Sequence, residues 1–172
     1  DRPLFIVNHP RAGGIPPIGQ GYFDLAGFDR TTLTGSNKDY WSDAFGALEV
    51  FNDSDFDANR ENTVADWFAF LNAGKQMPAV GSSDSHSVQS QPVGYPRTCM
   101  RFGHDDPRQL TPGVVRDALA AGASTVSGGL FLSASGPNGI TPGGTSTAGK
   151  YKVVVASPSW IDTKSVEVIV DG

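Results

Sequence analysis

The sequence has very little cysteine and no long apolar or charged run. Cys99 is its single cysteine, so no disulfide can form within the chain. No window approaches the roughly 20 apolar residues that a membrane-spanning helix needs. The 13 basic and 18 acidic residues are scattered along the chain and give a net charge of −5. Nucleic acid and a membrane surface are therefore disfavoured as partners.

Lysine is also scarce, whereas serine, threonine, asparagine and glycine are common, a composition that favours a secreted or periplasmic location. The sequence has no initiator methionine and opens within an apparent strand, "PLFIVNHP". It stops on an Asp-Gly pair, which is typical of the start of a hairpin turn. We therefore expect a fragment, a processed product, or one half of a two-chain enzyme.

Short apolar runs alternate with helical patterns along most of the chain. Buried strands, each ending on polar residues, are predicted for residues 3–8, 46–52 and 77–86. Helices are predicted at about 64–74 and 112–121, from apolar periodicity, a capping residue and a closing glycine. This alternation favours parallel strands with crossover helices, in an open sheet or a barrel.

Two longer segments lack the alternation. Residues 11–43 are rich in glycine, proline and aromatic residues, and we expect a substrate lid or a ligand platform there. The aromatic residues of this predicted loop are Tyr22, Phe23, Phe28, Tyr40 and Trp41. From residue 133 onward, "KYKVVVASPSW" and "SVEVIVDG" predict strands around a proline-containing turn. We therefore divide the chain into residues 1–132 and a β module at 133–172.

Polar side chains stand at the carboxyl ends of the three predicted strands. They are Asn8 and His9 after the first strand, Glu49 and Asn52 at the second, and Asp84 and His86 after the third. Because the carboxyl ends of parallel strands meet on one face of an α/β fold, we expect these side chains to converge. One carboxylate and two imidazoles suit a divalent transition metal ion, namely zinc, manganese or iron.

Each of these residues also has an ordinary structural interpretation. Asp84, in "GSSDSH", is a residue type that often caps turns and helices, and His9 before Pro10 is typical of a loop histidine. The hypothesis of a metal site depends on their joint placement at strand ends. In an extended segment the side-chain period is two, so Asp84 and His86 point the same way.

The segments "FIVNHPR", "GALEVFN" and "GSSDSH", followed in order by "PVGYPRT", resemble the polymerase and histidinol phosphatase (PHP) family of metal-dependent hydrolases. They resemble in particular its branch related to carbaryl hydrolase, over about residues 3–170. The resemblance implies an α/β fold: the carboxyl-terminal half of a distorted seven-stranded (β/α) barrel at 1–132. The start of a small all-β, sandwich-like module would follow at 133–172.

By this resemblance His9, Asp84 and His86 match metal ligands of the family. Asp84 would also be catalytic, because it could orient or deprotonate the attacking water. Family members carry further histidine and acidic ligands in an amino-terminal half that has no counterpart in this sequence. We therefore expect an incomplete site, whose other ligands come from a missing segment or a partner polypeptide.

Five further residues are expected to support the metal ligands or to contact substrate. Glu49 and Asn52 match a recurrent Glu-Val-x-Asn pattern of the family, and Asn8 adjoins the first ligand. Arg11 and Arg97 are candidates for binding an anionic group of the substrate through a planar guanidinium. Each arginine could instead pack on an aromatic surface or pair with a carboxylate.

The resemblance implies a metal-dependent hydrolase that acts through metal-activated water. Phosphoesters are the first expected substrate class, and carboxylic or carbamate esters are the second. The expected partner is thus a small, anionic ester. The alternative is a non-catalytic module that binds a ligand or a surface and is carried on a degenerate hydrolase half.

Other motifs in the chain are weaker. Residues 53–61, "DSDFDANRE", place carboxylates at every second position, but Ala58 stands where a calcium loop needs glycine. No Gly-Lys-Ser/Thr follows the glycine-rich "GPNGITPGG", and no Gly-x-Ser-x-Gly motif occurs, which disfavours a phosphate loop and a serine hydrolase. His104, in "GHDDP", is predicted to lie in a surface loop.

Overall fold

Short strands in small sheets, together with a few helices, make up the described part of the chain. The computed structural model of the protein describes residues 2–11, 20–53 and 55–170. The strands are β1 (Ile6–Val7), β2 (Phe28–Asp29), β3 (Thr34–Gly35), β4 (Ala47–Asn52), β5 (Ala79–Ser82), β6 (Arg97–Met100), β7 (Ser124–Ser127), β8 (Phe131–Ser135) and β9 (Lys152–Ala156). The helices are α1 (Tyr22–Ala26), α2 (Phe56–Asn59), α3 (Ala65–Asn72) and α4 (Pro112–Ala120). A π-helical turn, Arg60–Val64, joins α2 to α3.

The central sheet is parallel and has the order β1-β4-β5. Residues 47–50 of the middle strand β4 are all buried, as expected for a strand covered on both faces. The register between β4 and β5 shifts between Glu49 and Phe51, so the ladder contains an irregularity of the β-bulge type. The three strands therefore run side by side in the same direction. The irregularity in β4 comes just before the strand ends at Asn52.

Both predicted helices are confirmed. The first is α3, which ends before Gly74 at a φ of 73° and is extended at its start by α2 and the π-helical turn. The second is α4, in which the Thr111 hydroxyl accepts a hydrogen bond from the Val114 amide at 3.3 Å. Gly122, with a φ of 66°, follows α4 in the left-handed conformation that commonly ends a helix.

The predicted aromatic lid is wrong for its most apolar members. Phe23 and Phe28 are buried, with ring centroids 4.3 Å apart, and Phe28 also stacks on Phe70 of α3 at 5.4 Å. Trp41 packs against the same cluster. The segment after residue 20 thus contributes aromatic side chains to the hydrophobic core, because large aromatic surface is more stable away from water. Residues 12–19 of the predicted loop lie outside the described residues.

The predicted half-barrel is also wrong. Parallel pairing stops at β5, because β6 pairs antiparallel with β7 and β8 pairs antiparallel with β9. The connection from β5 to β6 contains turns but no helix, so it cannot act as a helical crossover. Helix α4 lies between β6 and β7 in sequence, yet those strands run in opposite directions. Within the described ranges no barrel closes, and the fold is a mixed α/β arrangement of small sheets.

The carboxyl-terminal part also departs from the sandwich-like expectation. The single predicted strand "ASTVSGGLFL" is divided at Gly129, whose φ is 128°, into β7 and β8 of two different sheets. The strand predicted from "KYKVVVASPSW" is present as β9, whereas residues 165–170, the described part of "SVEVIVDG", form no strand. Strand β8 crosses the predicted boundary at residue 132, and the division into two domains stays a prediction.

Among the described helices, none has the length and apolar character needed to cross a membrane.

Candidate metal centre

A buried carboxylate links the ends of the three parallel strands. Glu49 of β4 is only 1% exposed. Its Oε2 accepts a hydrogen bond from the His9 amide at 2.6 Å and lies 3.0 Å from Nδ1 of the His9 ring. Its Oε1 accepts hydrogen bonds from the Asn52 side-chain amide, at 3.3 Å, and from the Ser82 hydroxyl. Each oxygen of this buried charge is thus satisfied, as burial of a carboxylate requires.

The two ring nitrogens of His9 face different carboxylates, Nδ1 toward Glu49 and Nε2 toward Asp84. A carboxylate 3.0 Å from Nδ1 favours the tautomer that carries its proton there, because the negative charge stabilises the N–H dipole. Nε2, the nitrogen that this tautomer leaves with a lone pair, lies 3.9 Å from Oδ2 of Asp84. A carboxylate behind a histidine is also the usual support of a metal-bound imidazole.

His86 lies on the other side of Asp84. Its Nδ1 is 3.7 Å from Asp84 Oδ1 and 2.5 Å from the Asp84 backbone carbonyl oxygen. The side chain of His86 is 73% exposed, whereas those of His9 and Asp84 are 44% and 36% exposed. The two carboxylate oxygens of Asp84 thus face one imidazole each, and the predicted convergence of these three side chains is observed.

These contacts fit a divalent metal ion in part. Two ligand atoms on one tetrahedral zinc ion lie roughly 3.3 Å apart, since each bond is about 2.0 to 2.1 Å long. The separation of 3.9 Å between His9 Nε2 and Asp84 Oδ2 exceeds this by about half an ångström, and Nδ1 of His86 contacts the Asp84 carbonyl oxygen at 2.5 Å. Among the described residues, no group of three or more His, Cys, Asp or Glu side chains is already arranged to hold a metal. The chain therefore offers an incomplete set of candidate ligands beside a buried, hydrogen-bonded carboxylate.

The backbone is unusual at both residues that face each other across the site. His9 has a φ of 48° and Asp84 a φ of 47°, in the left-handed region that residues other than glycine rarely adopt. Such conformations persist where the surrounding structure enforces them, and they concentrate at functional sites. Here the His9 amide is held by Glu49, and the segment after Asp84 is held by Gln91.

Gln91 fixes the turn that carries the second and third predicted ligands. Its side-chain Oε1 accepts a hydrogen bond from the His86 amide at 3.0 Å, and its backbone carbonyl accepts one from the Ser85 hydroxyl. The Gln91 amide in turn donates to the Ser87 carbonyl at 3.1 Å. Residues 84–91 therefore form a closed turn, although the segment contains no helix or strand.

Arg11 does not face the proposed site. Its guanidinium pairs with Asp66 at 2.7 Å and with Asp24 at 2.9 Å, and it lies over the Phe23 and Phe28 rings. Burial by itself would lower the pKa of Arg11, but the hydrogen bonds to the two carboxylates outweigh burial and raise it. Its described contacts match the alternative of carboxylate pairing and aromatic packing.

Arg97 and Asn8 complete the set of predicted residues. Arg97 starts β6, lies 5.5 Å from the Tyr95 ring and donates to the Gly94 carbonyl at 3.0 Å. Asn8 is exposed and directly precedes His9. A substrate-binding role for either residue stays a prediction.

Sequence reasoning missed two members of the site, Ser82 and Gln91. Ser82 had a signal, because it is a polar residue at the carboxyl end of a predicted parallel strand, where functional side chains collect. Gln91 had none, since its contact depends on the path of an irregular turn.

His104, the third histidine of the chain, belongs to another region. It lines a cavity of about 570 Å³ together with Cys99, Phe102 and Phe131, and the lining includes none of the predicted ligands. Its Nδ1 is buried and has no hydrogen-bond partner among the described residues. His104 is therefore a suitable control for substitutions in the candidate metal centre.

The geometry defines a class of site, a buried carboxylate that orients one histidine toward an aspartate flanked by a second histidine. Comparisons of the chain with protein-family models, with curated proteins and with solved structures find no match. The resemblance to the PHP family stays a prediction from the sequence segments.

Proposed function

We propose that the chain carries part of the active site of a metal-dependent hydrolase. His9, Asp84 and His86 would hold a divalent transition metal ion, namely zinc, manganese or iron, together with ligands from outside this set. The observation that supports this most strongly is the contact between the buried Glu49 and His9, which presents Nε2 toward Asp84. The resemblance of "VNHP", "LEVFN" and "SDSH" to PHP hydrolases points to the same chemistry.

Such an ion would lower the pKa of a bound water and stabilise the oxyanion that forms on the substrate. The chain's own residues have separate tasks. Glu49, 3.0 Å from Nδ1 of His9, would orient the ring so that Nε2 is the atom offered to the ion. Asp84 has two oxygens that face different partners, so one can act as a ligand while the other accepts a proton from the attacking water.

The proposed substrates are small esters, with phosphoesters first and carboxylic or carbamate esters second. Arg11 is engaged by Asp24 and Asp66, so it is not part of the proposed recognition of an anionic group. That role would fall to the metal ion and to Arg97.

The test is ester hydrolysis by the complete gene product, since the proposed site is a partial ligand set. We expect zinc- or manganese-dependent turnover of p-nitrophenyl phosphate, with p-nitrophenyl acetate as the comparison substrate. Asp84→Asn should lower kcat/KM by about 100-fold or more, because it removes a ligand and a proton acceptor. His104→Ala should leave kcat/KM unchanged. Turnover that survives both Asp84→Asn and removal of metal by a chelator would contradict the proposal.

A further inference from the structure

Asn59, the last residue of α2, pairs with the backbone at the end of β4. The Asn52 amide donates to Asn59 Oδ1 at 3.1 Å, and Asn59 Nδ2 donates to the Asn52 carbonyl at 2.9 Å. One side-chain amide thus satisfies both backbone groups of Asn52, as a neighbouring strand would. The pairing occurs just after the register shift in β4, where the regular ladder is disturbed.

The Asn59 side chain is itself held from two sides. Its Nδ2 also donates to the Asp55 carbonyl at 2.5 Å, and its Oδ1 lies 3.3 Å from the hydroxyl of Thr63. That hydroxyl is buried and donates to the Val50 carbonyl at 2.8 Å. Thr63 lies in the π-helical turn that begins directly after Asn59, and π-helical turns within α-helices are frequent at functional sites. The turn is therefore tied to β4 at two points, Val50 and Asn52.

Asn52, which Asn59 holds in place, contacts the buried carboxylate of the metal centre. Its side-chain amide donates to Oε1 of Glu49, three residues earlier in the strand, at 3.3 Å. With Oε1 held by Asn52 and Ser82, the other oxygen, Oε2, is directed at the amide and ring of His9. A continuous series of contacts of 2.6 to 3.3 Å thus joins Asn59 to His9 through Asn52 and Glu49.

We propose that Asn59 is a positioning residue of the metal centre: by fixing Asn52, it orients Glu49 and so sets the tautomer and direction of the His9 ring. This inference rests on the proposed function for its metal, but not for the orientation of His9, which exists without one. The hydrogen bonds of Asn59 lead to His9 through Asn52 and Glu49, and its contact with Thr63 supports the same strand at Val50.

The test compares Asn59→Ala with Asn62→Ala. Asn62 lies in the adjoining π-helical turn, and its Nδ2 donates to the Ala58 carbonyl at 2.9 Å, so its loss also removes a local side-chain bond. The first readout is the ¹⁵N chemical shifts of the His9 ring in metal-free protein, at a pH of about 8, where an ordinary histidine is neutral. The signals of the three histidines are assigned with His86→Ala and His104→Ala. The second readout is the dissociation constant for zinc chloride.

In the wild type and in Asn62→Ala we expect the His9 shifts of a ring protonated at Nδ1. In Asn59→Ala we expect shifts that move toward a mixture of tautomers, and zinc affinity reduced by roughly 10-fold, the lower end of the effect of outer-sphere partners. Asn59→Asp, which keeps an acceptor for the Asn52 amide and loses the donors, should lie between. If Asn59→Ala does not fold, Asn59→Asp provides the comparison with the wild type.

A purely structural role would give a different result. Asn59→Ala and Asn59→Asp would then lower the melting temperature while leaving the His9 shifts and the zinc affinity of the folded protein at wild-type values, and the proposal would be overturned. If the complete wild-type gene product binds no zinc, the proposed function fails, whereas the ¹⁵N comparison still decides the positioning role.

Discussion

Asp66→Asn is expected to lower the free energy of unfolding by about 3 kcal/mol, because removing one partner of a buried ion pair leaves the other charge uncompensated. Asp66 is fully buried, and its two oxygens pair with Arg11 at 2.7 Å and Arg30 at 2.6 Å. The expected loss is at the lower end of the usual range, since both guanidinium groups retain some contact with water. Urea unfolding followed by tryptophan fluorescence measures it.

Asp24→Asn is the matched control for Asp66→Asn. Asp24 also pairs with Arg11, at 2.9 Å, but its side chain is 32% exposed. Removal of this partly exposed carboxylate should cost less than about 1 kcal/mol. Equal losses in the two variants would show that burial of Asp66 does not determine the stability of the cluster, and that Arg11 is not held mainly by Asp66.

The second large effect concerns Glu49→Gln, which should weaken zinc binding by about 10- to 100-fold. The substitution keeps the shape of the side chain but removes the negative charge beside Nδ1 of His9, 3.0 Å away. Nδ1 then loses the partner that fixes its proton, and Nε2 becomes a poorer ligand. Competition against a chelator of known affinity gives the dissociation constant.

Glu61→Gln removes the same charge from an exposed position in the π-helical turn and is the control for Glu49→Gln. Its zinc affinity should equal that of the wild type. The urea midpoints of both variants should be measured as well, so that loss of fold is separated from loss of affinity. Unchanged zinc affinity in a folded Glu49→Gln would mean that the buried carboxylate does not support a metal ligand.

The features that the sequence predicts well are local. Helix α4 follows from Thr111 as cap, apolar periodicity and Gly122, all within about a dozen residues. The approach of His9, Glu49 and Asp84 follows from one non-local assumption, that three buried strands run parallel, and the register of β4 with β1 and β5 meets it.

The features that it predicts poorly depend on long-range pairing. The strand pattern of Arg97–Met100 does not indicate which strand it pairs with. In the structure it pairs antiparallel with β7, which follows α4. The sequence around Phe23 and Phe28 does not distinguish a substrate lid from a part of the core, because aromatic residues occur in both. The sequence also gives no sign of the register shift in β4. In a regular strand, Glu49 and Asn52 would point to opposite faces, so strand periodicity does not predict the contact between them.

The most direct test of the metal centre is the amount of zinc that the complete gene product binds, measured by calorimetric titration and by elemental analysis after dialysis. We expect stoichiometric zinc in the wild type and in His104→Ala, and its loss in Asp84→Asn and in His9→Ala. Zinc that is retained by both Asp84→Asn and His9→Ala, or a complete wild-type gene product that binds none, would contradict a metal site at the ends of β1, β4 and β5.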